Sequence, residues 1–414
     1  MIPEIVSYIT RREGRKFRCL NNTFKESVMR GEERGEDGLV LYIHIPFCRA
    51  LCPFCCFNRY LFNEDLARRY FIDLKKELNL YTEQGFKFSS VYFGGGTPTV
   101  LMDELLNFIE HLRGQFDIRE MSLETTPREL TEDNIGLLKQ AGINRLSIGV
   151  QSFDEKVLKI MGRINGPVEE VKGRLLTAEG QFATLNVDFV FNFPGQSVEQ
   201  FKADVAAFKE LGIDQATFYP LMASPHKKDA LERRFNRVDY SRERRFYDVI
   251  LSEIYRGGYN ASTAWCFSRG ERMIDEYIIE SDDYIGIGAG SVSIIGDKFL
   301  VNTFSLDRYH KLTGAGQYPI VGWRQLSEKE LQRYYLLTKL FGMKMDREAF
   351  KHRFGGDISH KLRAEMAFFK AFGLVAGDGI LRVNEKGMYP VSVMMREFFG
   401  ALNGLREEFI ERQV

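Results

Sequence analysis

Cys48, Cys52, Cys55 and Cys56 fall within the nine residues CRALCPFCC, four of the chain's six cysteines. Cys52 and Cys55 alone form a C-x-x-C, the spacing of a redox pair or of half a zinc site. A zinc site needs a second pair of Cys or His ligands, and the remaining cysteines, Cys19 and Cys266, stand alone. A redox pair would leave Cys48 unused. Taken together, Cys48, Cys52 and Cys55 give C-x3-C-x2-C. Three thiolates on one tight loop suit three irons of a 4Fe–4S cluster and leave the fourth iron open to a small molecule. A structural metal knuckle is the plain alternative. Cys56 follows Cys55 directly, so its side chain diverges from the other three; it is read as a pocket residue and a candidate catalytic thiol.

The elements that position this loop follow a repeating pattern. LVLYIHI before the loop reads as a buried strand over 39–45, and Leu66, Tyr70, Leu74 and Leu78 after it mark an amphipathic helix. SSVYFGGGTP gives a second strand ending in three glycines. Further strands are expected near 119–125, 144–150, 184–190 and 215–220. Helices are expected between them near 102–114, 132–141 and 168–181, with a capping box from Ser197 and Gln200 opening the next one. Six βα repeats predict parallel strands with right-handed crossovers. The motifs CxxxCxxC, GGGT, ETTP, GVQS and DFVFNFPG all sit at C-terminal strand ends, and a ring of strands gathers such ends at one mouth.

Composition bounds the rest. Lys+Arg and Asp+Glu both number 57 in 414 residues. That balance supplies no global field for nucleic acid, and no nucleic-acid partner is expected. The N-terminus shows no secretory signal and no stretch reads as a membrane span, so a cytosolic protein is expected. In a reducing compartment, clustered cysteines point to metal or catalysis rather than disulfides.

YIHIPFCRALCPFC, YFGGGTPT, LETTP, INRLSIGVQSFDEKVLKIMGR, VDFVFNFPGQ and YIGIGAGSVS resemble, in order and spacing over about residues 40–300, the radical S-adenosylmethionine enzymes of the oxygen-independent coproporphyrinogen III dehydrogenase type. The resemblance implies a partial (β/α)6 TIM-like barrel, an α/β fold, with Cys48, Cys52 and Cys55 holding a 4Fe–4S cluster at its mouth. It places Tyr42 beside bound S-adenosylmethionine and Gly94, Gly95, Gly96 and Thr97 at its amino group. Glu124, Gln151, Arg163 and Asp188 take positions around its methionyl and ribose parts. Phe54, Thr97 and Val190 match positions near a second S-adenosylmethionine held by some relatives. His44 and Asn144 read as structural.

Within this type the coproporphyrinogen dehydrogenases carry a fourth cysteine two residues after the third ligand, where this chain has Phe57. CPFCCFN is nearer the haem-chaperone-like and methyltransferase-like relatives. TAWCFSR, NTFSLDRYH and VSVMMREFFGALN resemble the radical methyltransferase branch that methylates menaquinone. The expectation is therefore methylation of an sp2 carbon of a quinone- or porphyrin-like conjugated ring, with flavodoxin or ferredoxin as electron donor. The alternatives are a coproporphyrinogen dehydrogenase and a haem carrier. Trp265 and Cys266 are candidates for pocket or core, Cys266 also for a catalytic thiol. Residues 1–37 are expected as a partly docked arm, 38–324 as the barrel and its extension, and 325–414 as a small winged-helix-like lid, built from a helix through LQRYYLLTKLFG capped by Ser327 and Glu330, a second helix through SHKLRAEMAFFKAFG and a Gly-rich hairpin in LVAGDGILRVNEKG. The stripe Met394, Phe398, Leu402 and Leu405 reads as core packing, with a greasy entrance or transient membrane contact as its alternative.

Overall fold

A computed structural model describes residues 2–18, 20, 21, 24, 38–163, 165–222, 225–235, 238–270, 279 and 281–411. Six parallel strands, each buried and rich in apolar residues, form its centre: β1 Leu39–Ile45, β2 Phe88–Gly95, β3 Glu120–Thr125, β4 Arg145–Gln151, β5 Thr184–Phe191 and β6 Gln215–Pro220. They pair in sequence order. Helices return the chain between them, as parallel pairing requires. The helix Glu64–Glu83 shows how. Asn63 caps it by accepting from the Leu66 amide at 3.0 Å, and Glu64 and Asp65 occupy its positive end. Tyr70, Leu74, Leu78 and Tyr81 form its buried face. Full burial stabilises each such leucine by about 1.5–3 kcal/mol.

Among the described residues the sheet does not close. Beyond β1 the strand Tyr284–Ile287 adds in parallel, followed by an antiparallel meander of Val292–Ile295, Lys298–Asn302 and Ile320–Gln325. Beyond β6 lie Cys266–Ser268 and Asn260–Ala261, both antiparallel. Between these two edges the barrel is open. The C-terminal helices Glu328–Phe341 and Glu385–Glu411 fill the gap. Trp265 at one edge packs on Phe341 with centroids 4.8 Å apart and donates its indole N–H to Ser392 at 2.8 Å. At the other edge Phe409 meets Phe304, and Tyr334 hydrogen-bonds Tyr284.

Polar layers line the inner face of the barrel. Near the strand starts, Arg145 donates to Gln215 and Gln215 donates to Ser268. Above them Ser147, Asn186 and Thr217 join through hydrogen bonds of 2.8–3.0 Å. In this upper layer the buried groups persist because they satisfy one another.

The C-terminal region departs from expectation in one place. The helix expected through SHKLRAEMAFFKAFG is two pieces, Ile358–Lys361 and Arg363–Ala371, because Leu362 leaves helical geometry at φ −120°. The stripe Met394, Phe398, Leu402 and Leu405 packs into the core, with the last three buried. It is therefore no exposed greasy entrance. The expected Gly-rich hairpin is present as Val375–Ala376 against Ile380–Val383, joined by Lys344–Asp346 into a three-stranded sheet. At the other end, Ile2–Gly14 is a helix docked on the last helix, where Ser7 and Arg11 bind Glu397. Residues 25–37 and Cys19 lie outside the described residues. Among the described residues, no helix is long and apolar enough to cross a membrane.

Candidate active site

Cys48 ends a two-residue strand, Phe47–Cys48, that pairs with Tyr60–Leu61 and so clamps the base of the cysteine loop. Inside the loop the Cys55 amide donates to the Cys52 carbonyl at 3.2 Å, a tight turn that brings these two residues near one another. Three donors from separate elements address the loop. Thr97 Oγ1 lies 3.8 Å from Cys48 Sγ, Arg163 Nη1 3.5 Å from Cys52 Sγ, and Arg59 Nη2 donates to the Cys55 carbonyl at 3.1 Å. Burial pushes the Cys48 thiol up to about 11, with the neighbouring Cys55 adding to the effect, and burial likewise raises Cys55. These thiols therefore need bound cations to become thiolates. Among the described residues, no three His, Cys, Asp or Glu side chains converge on a point that would hold one metal ion. The donor set and the loop fit a 4Fe–4S cluster. Cys56 lies apart: its Sγ points to the Met222 carbonyl at 2.9 Å.

The turn after β2 crosses directly over this loop. A Cβ on Gly95 would stand 2.7 Å from the His44 ring, and one on Gly96 would stand 2.6 Å from the Phe47 carbonyl oxygen. Gly95 also takes φ +112°, open to glycine alone at low cost. Its amide donates to Glu124 Oε2 at 3.1 Å while the Tyr92 hydroxyl holds Oε1 at 2.8 Å. Asp188 receives Ser147 Oγ at 2.9 Å and Asn186 Nδ2 at 2.7 Å. Arg163 donates to the Gly149 carbonyl and to Asn165 Oδ1. Gln151 adopts φ +77° at the end of β4, beside a register shift against β5. A side chain in that region costs on the order of 1–3 kcal/mol. Phe54 sets its ring edge-on to Phe193, 5.7 Å between centroids, and with Val190 belongs to a small apolar cluster separate from the main core.

His44 does more than fill space. Its Nε2 faces the Asn58 carbonyl at 2.9 Å, which can only accept, so Nε2 carries the proton. Burial holds the ring neutral by lowering it to about 4. Nδ1 is then an acceptor, and the Tyr42 hydroxyl 2.9 Å away donates to it. His44 thereby fixes the rotor of Tyr42. Asn144 is structural, its Oδ1 receiving the Met121 amide. Trp265 and Cys266 are both fully buried. Trp265 belongs to the core, whereas Cys266 pairs with Thr217 and so shares the inner face of the barrel. The sequence reading missed Arg59, Tyr92 and Asn58, and also Arg406, whose guanidinium lies over the Phe57 ring at 5.2 Å.

Residues 42–208 match the family model described as the Radical SAM superfamily. The match runs from β1 through β5 of the barrel. The chain is 25% identical over 378 residues to the Heme chaperone HemW of Bacillus subtilis, covering 88% of this chain and 98% of that protein. It is 27% identical over 419 residues to the oxygen-independent coproporphyrinogen III oxidase of Helicobacter pylori, covering 93% and 89%. Among solved structures, coproporphyrinogen III oxidase (HemN) from Escherichia coli superposes with a TM-score of 0.76 at 23% identity, covering 92% of this chain and 94% of that one. The radical SAM family implies a 4Fe–4S cluster and S-adenosylmethionine.

Proposed function

We propose that this chain is a radical SAM enzyme acting on a flat conjugated ring, with a tetrapyrrole of the coproporphyrinogen class as first reading. One observation carries it. The glycine turn that binds Glu124 crosses over the three-cysteine loop, and Arg163 ties Cys52 to the Gly149 carbonyl, so these groups gather at the C-terminal ends of β1 to β4, with Asp188 further down the inner face of β5. When bound, the cluster and S-adenosylmethionine supply a 5′-deoxyadenosyl radical able to remove a hydrogen atom. Cys48, Cys52 and Cys55 hold the cluster. Tyr42, Gly94–Gly96, Thr97, Glu124, Gln151, Arg163 and Asp188 hold the nucleoside. Buried walls exclude water from the reacting groups. The names of the relatives support a tetrapyrrole ligand.

Methyl transfer to an sp2 carbon, menaquinone foremost, is the second reading. It is favoured by position 57, a phenylalanine where the resemblance places a fourth cysteine in coproporphyrinogen dehydrogenases. In this reading a second S-adenosylmethionine is the methyl donor near Phe54, Thr97 and Val190, and Cys56 and Cys266 are the candidate thiols. Anaerobically reconstituted protein with dithionite and S-adenosylmethionine decides between them. Carbon dioxide released from coproporphyrinogen III supports the first. S-adenosylhomocysteine with methylated menaquinone supports the second. Absence of 5′-deoxyadenosine with either substrate overturns the enzyme, and tight haem binding in that case points to a carrier.

A further inference from the structure

Three arginines stand around the mouth, and two of them serve the cysteine loop. Arg59 donates to the Cys55 carbonyl, and Arg163 reaches Cys52 and the Gly149 carbonyl. Arg406 is different. It comes from the last helix, which covers the open flank of the barrel. Its guanidinium carbon lies over the Phe57 ring, 5.2 Å from the centroid, and the group donates to Asn403 Oδ1 at 3.1 Å, and Asn403 is itself buried. Its charge is felt at Tyr42, His44 and Tyr284, inward residues of β1 and its neighbouring strand. Arg406 therefore looks into the barrel from the side the sheet leaves open. Among the described residues, no carboxylate pairs with it. A guanidinium held between an aromatic face and an amide, without a counter-charge, is built to receive an anionic or strongly polar oxygen from outside the chain.

We propose that Arg406 anchors a substrate oxygen that carries or gains negative charge at the edge of a flat ring. This rests on the function proposed above, and both readings supply such an oxygen: a propionate carboxylate on a tetrapyrrole, or a ring carbonyl on a quinone. Phe57 fits the same role by presenting the guanidinium from beneath. The side chain is a specificity determinant because it tells a ring with an oxygen at this edge from one without.

The test uses the full-length, cluster-reconstituted protein, Arg406→Gln and Arg406→Lys, compared at equal iron and sulfide content. Binding of coproporphyrin III, its tetramethyl ester and menadione is followed by fluorescence. Arg406→Gln is expected to bind whichever ring the parent binds at least about tenfold more weakly, as for loss of a charge-assisted hydrogen bond, and Arg406→Lys to retain part of that affinity. If the oxygen is a propionate, the parent prefers the acid to the ester and Arg406→Gln erases the preference. If it is a carbonyl, the loss appears with menadione. Unchanged affinity in Arg406→Gln for a ring the parent binds overturns the anchor and leaves the proposed function standing. A parent that binds none of the three overturns both.

Discussion

Glu77 offers the most direct quantitative test of the packing behind the site. It lies fully buried on the helix Glu64–Glu83 and accepts from the Gly288 amide at 2.8 Å, Asn302 Nδ2 at 2.7 Å and the Tyr309 hydroxyl at 2.6 Å. Gly288 presses against the His44 carbonyl oxygen, which a Cβ at that glycine would approach to 2.5 Å. Burial raises Glu77 to about 7, its three donors only partly offsetting the loss of water. An acid whose folded-state value exceeds its unfolded value contributes stability at low pH and loses it as pH rises through the folded value. From a starting value of 4.5 to about 7, the full contribution is on the order of 3 kcal/mol. Roughly 2 kcal/mol of that is lost between about pH 5.5 and pH 8. Glu77→Gln removes the titration. Urea unfolding of parent and variant across that range, followed by circular dichroism, should give midpoints whose difference changes steadily in the variant's favour as pH rises. Parallel curves for parent and variant would refute the reasoning, because they would mean Glu77 does not change its proton occupancy on unfolding.

Single substitutions Cys48→Ala, Cys52→Ala and Cys55→Ala should each sharply lower iron content after reconstitution, while Cys56→Ser and Cys266→Ser retain it; iron and sulfide assays check this. Gly95→Ala must displace the His44 ring and strain a φ of +112°, so it should weaken S-adenosylmethionine binding by tenfold or more in equilibrium dialysis. Gly136→Ala, on a helix with open space around it, is the control and should stabilise by up to about 1 kcal/mol. Arg396→Met strands Glu243, a fully buried carboxylate that its guanidinium contacts. A loss of about 3–5 kcal/mol in denaturant unfolding is expected, and Tyr240, stacked on the same guanidinium, should lose its packing with it.

The barrel could be read from the chain because each strand carries its own signal. LVLYIHI predicts 39–45 and the strand is Leu39–Ile45; QATFYP predicts 215–220 and the strand is Gln215–Pro220. The capping boxes at Ser197 and Ser327 are likewise local, with side chain and amide three residues apart. The cysteine loop was legible for the same reason, whereas Glu124 and Asp188 were singled out only through the family resemblance. What could not be read was whatever depends on distant partners. Nothing near Arg406 announces that its ring partner is Phe57, and no pattern in TAWCFSR tells that Trp265 turns toward Ser392 while Cys266 turns inward. The antiparallel meander after Tyr284–Ile287 also escaped, because its strands are only four to six residues long, although Gly288, Gly290 and the Gly296-Asp297 pair mark its turns. The bend at Leu362 was missed because SHKLRAEMAFFK has helical periodicity throughout.

The gap in the sheet has a consequence for engineering. A closed ring of strands fixes its own girth through its backbone ladder. This one is a hoop with a gap, and the clasp is a helix gripping one edge through Trp265 and Ser392 and the other through Phe304 and Phe409. The width of the entrance is thus written in side chains near the end of the sequence. Enlarging or trimming Phe399, whose ring packs on Trp265 with centroids 5.9 Å apart, or Phe409 would retune which molecules pass without altering a single residue at the reacting centre.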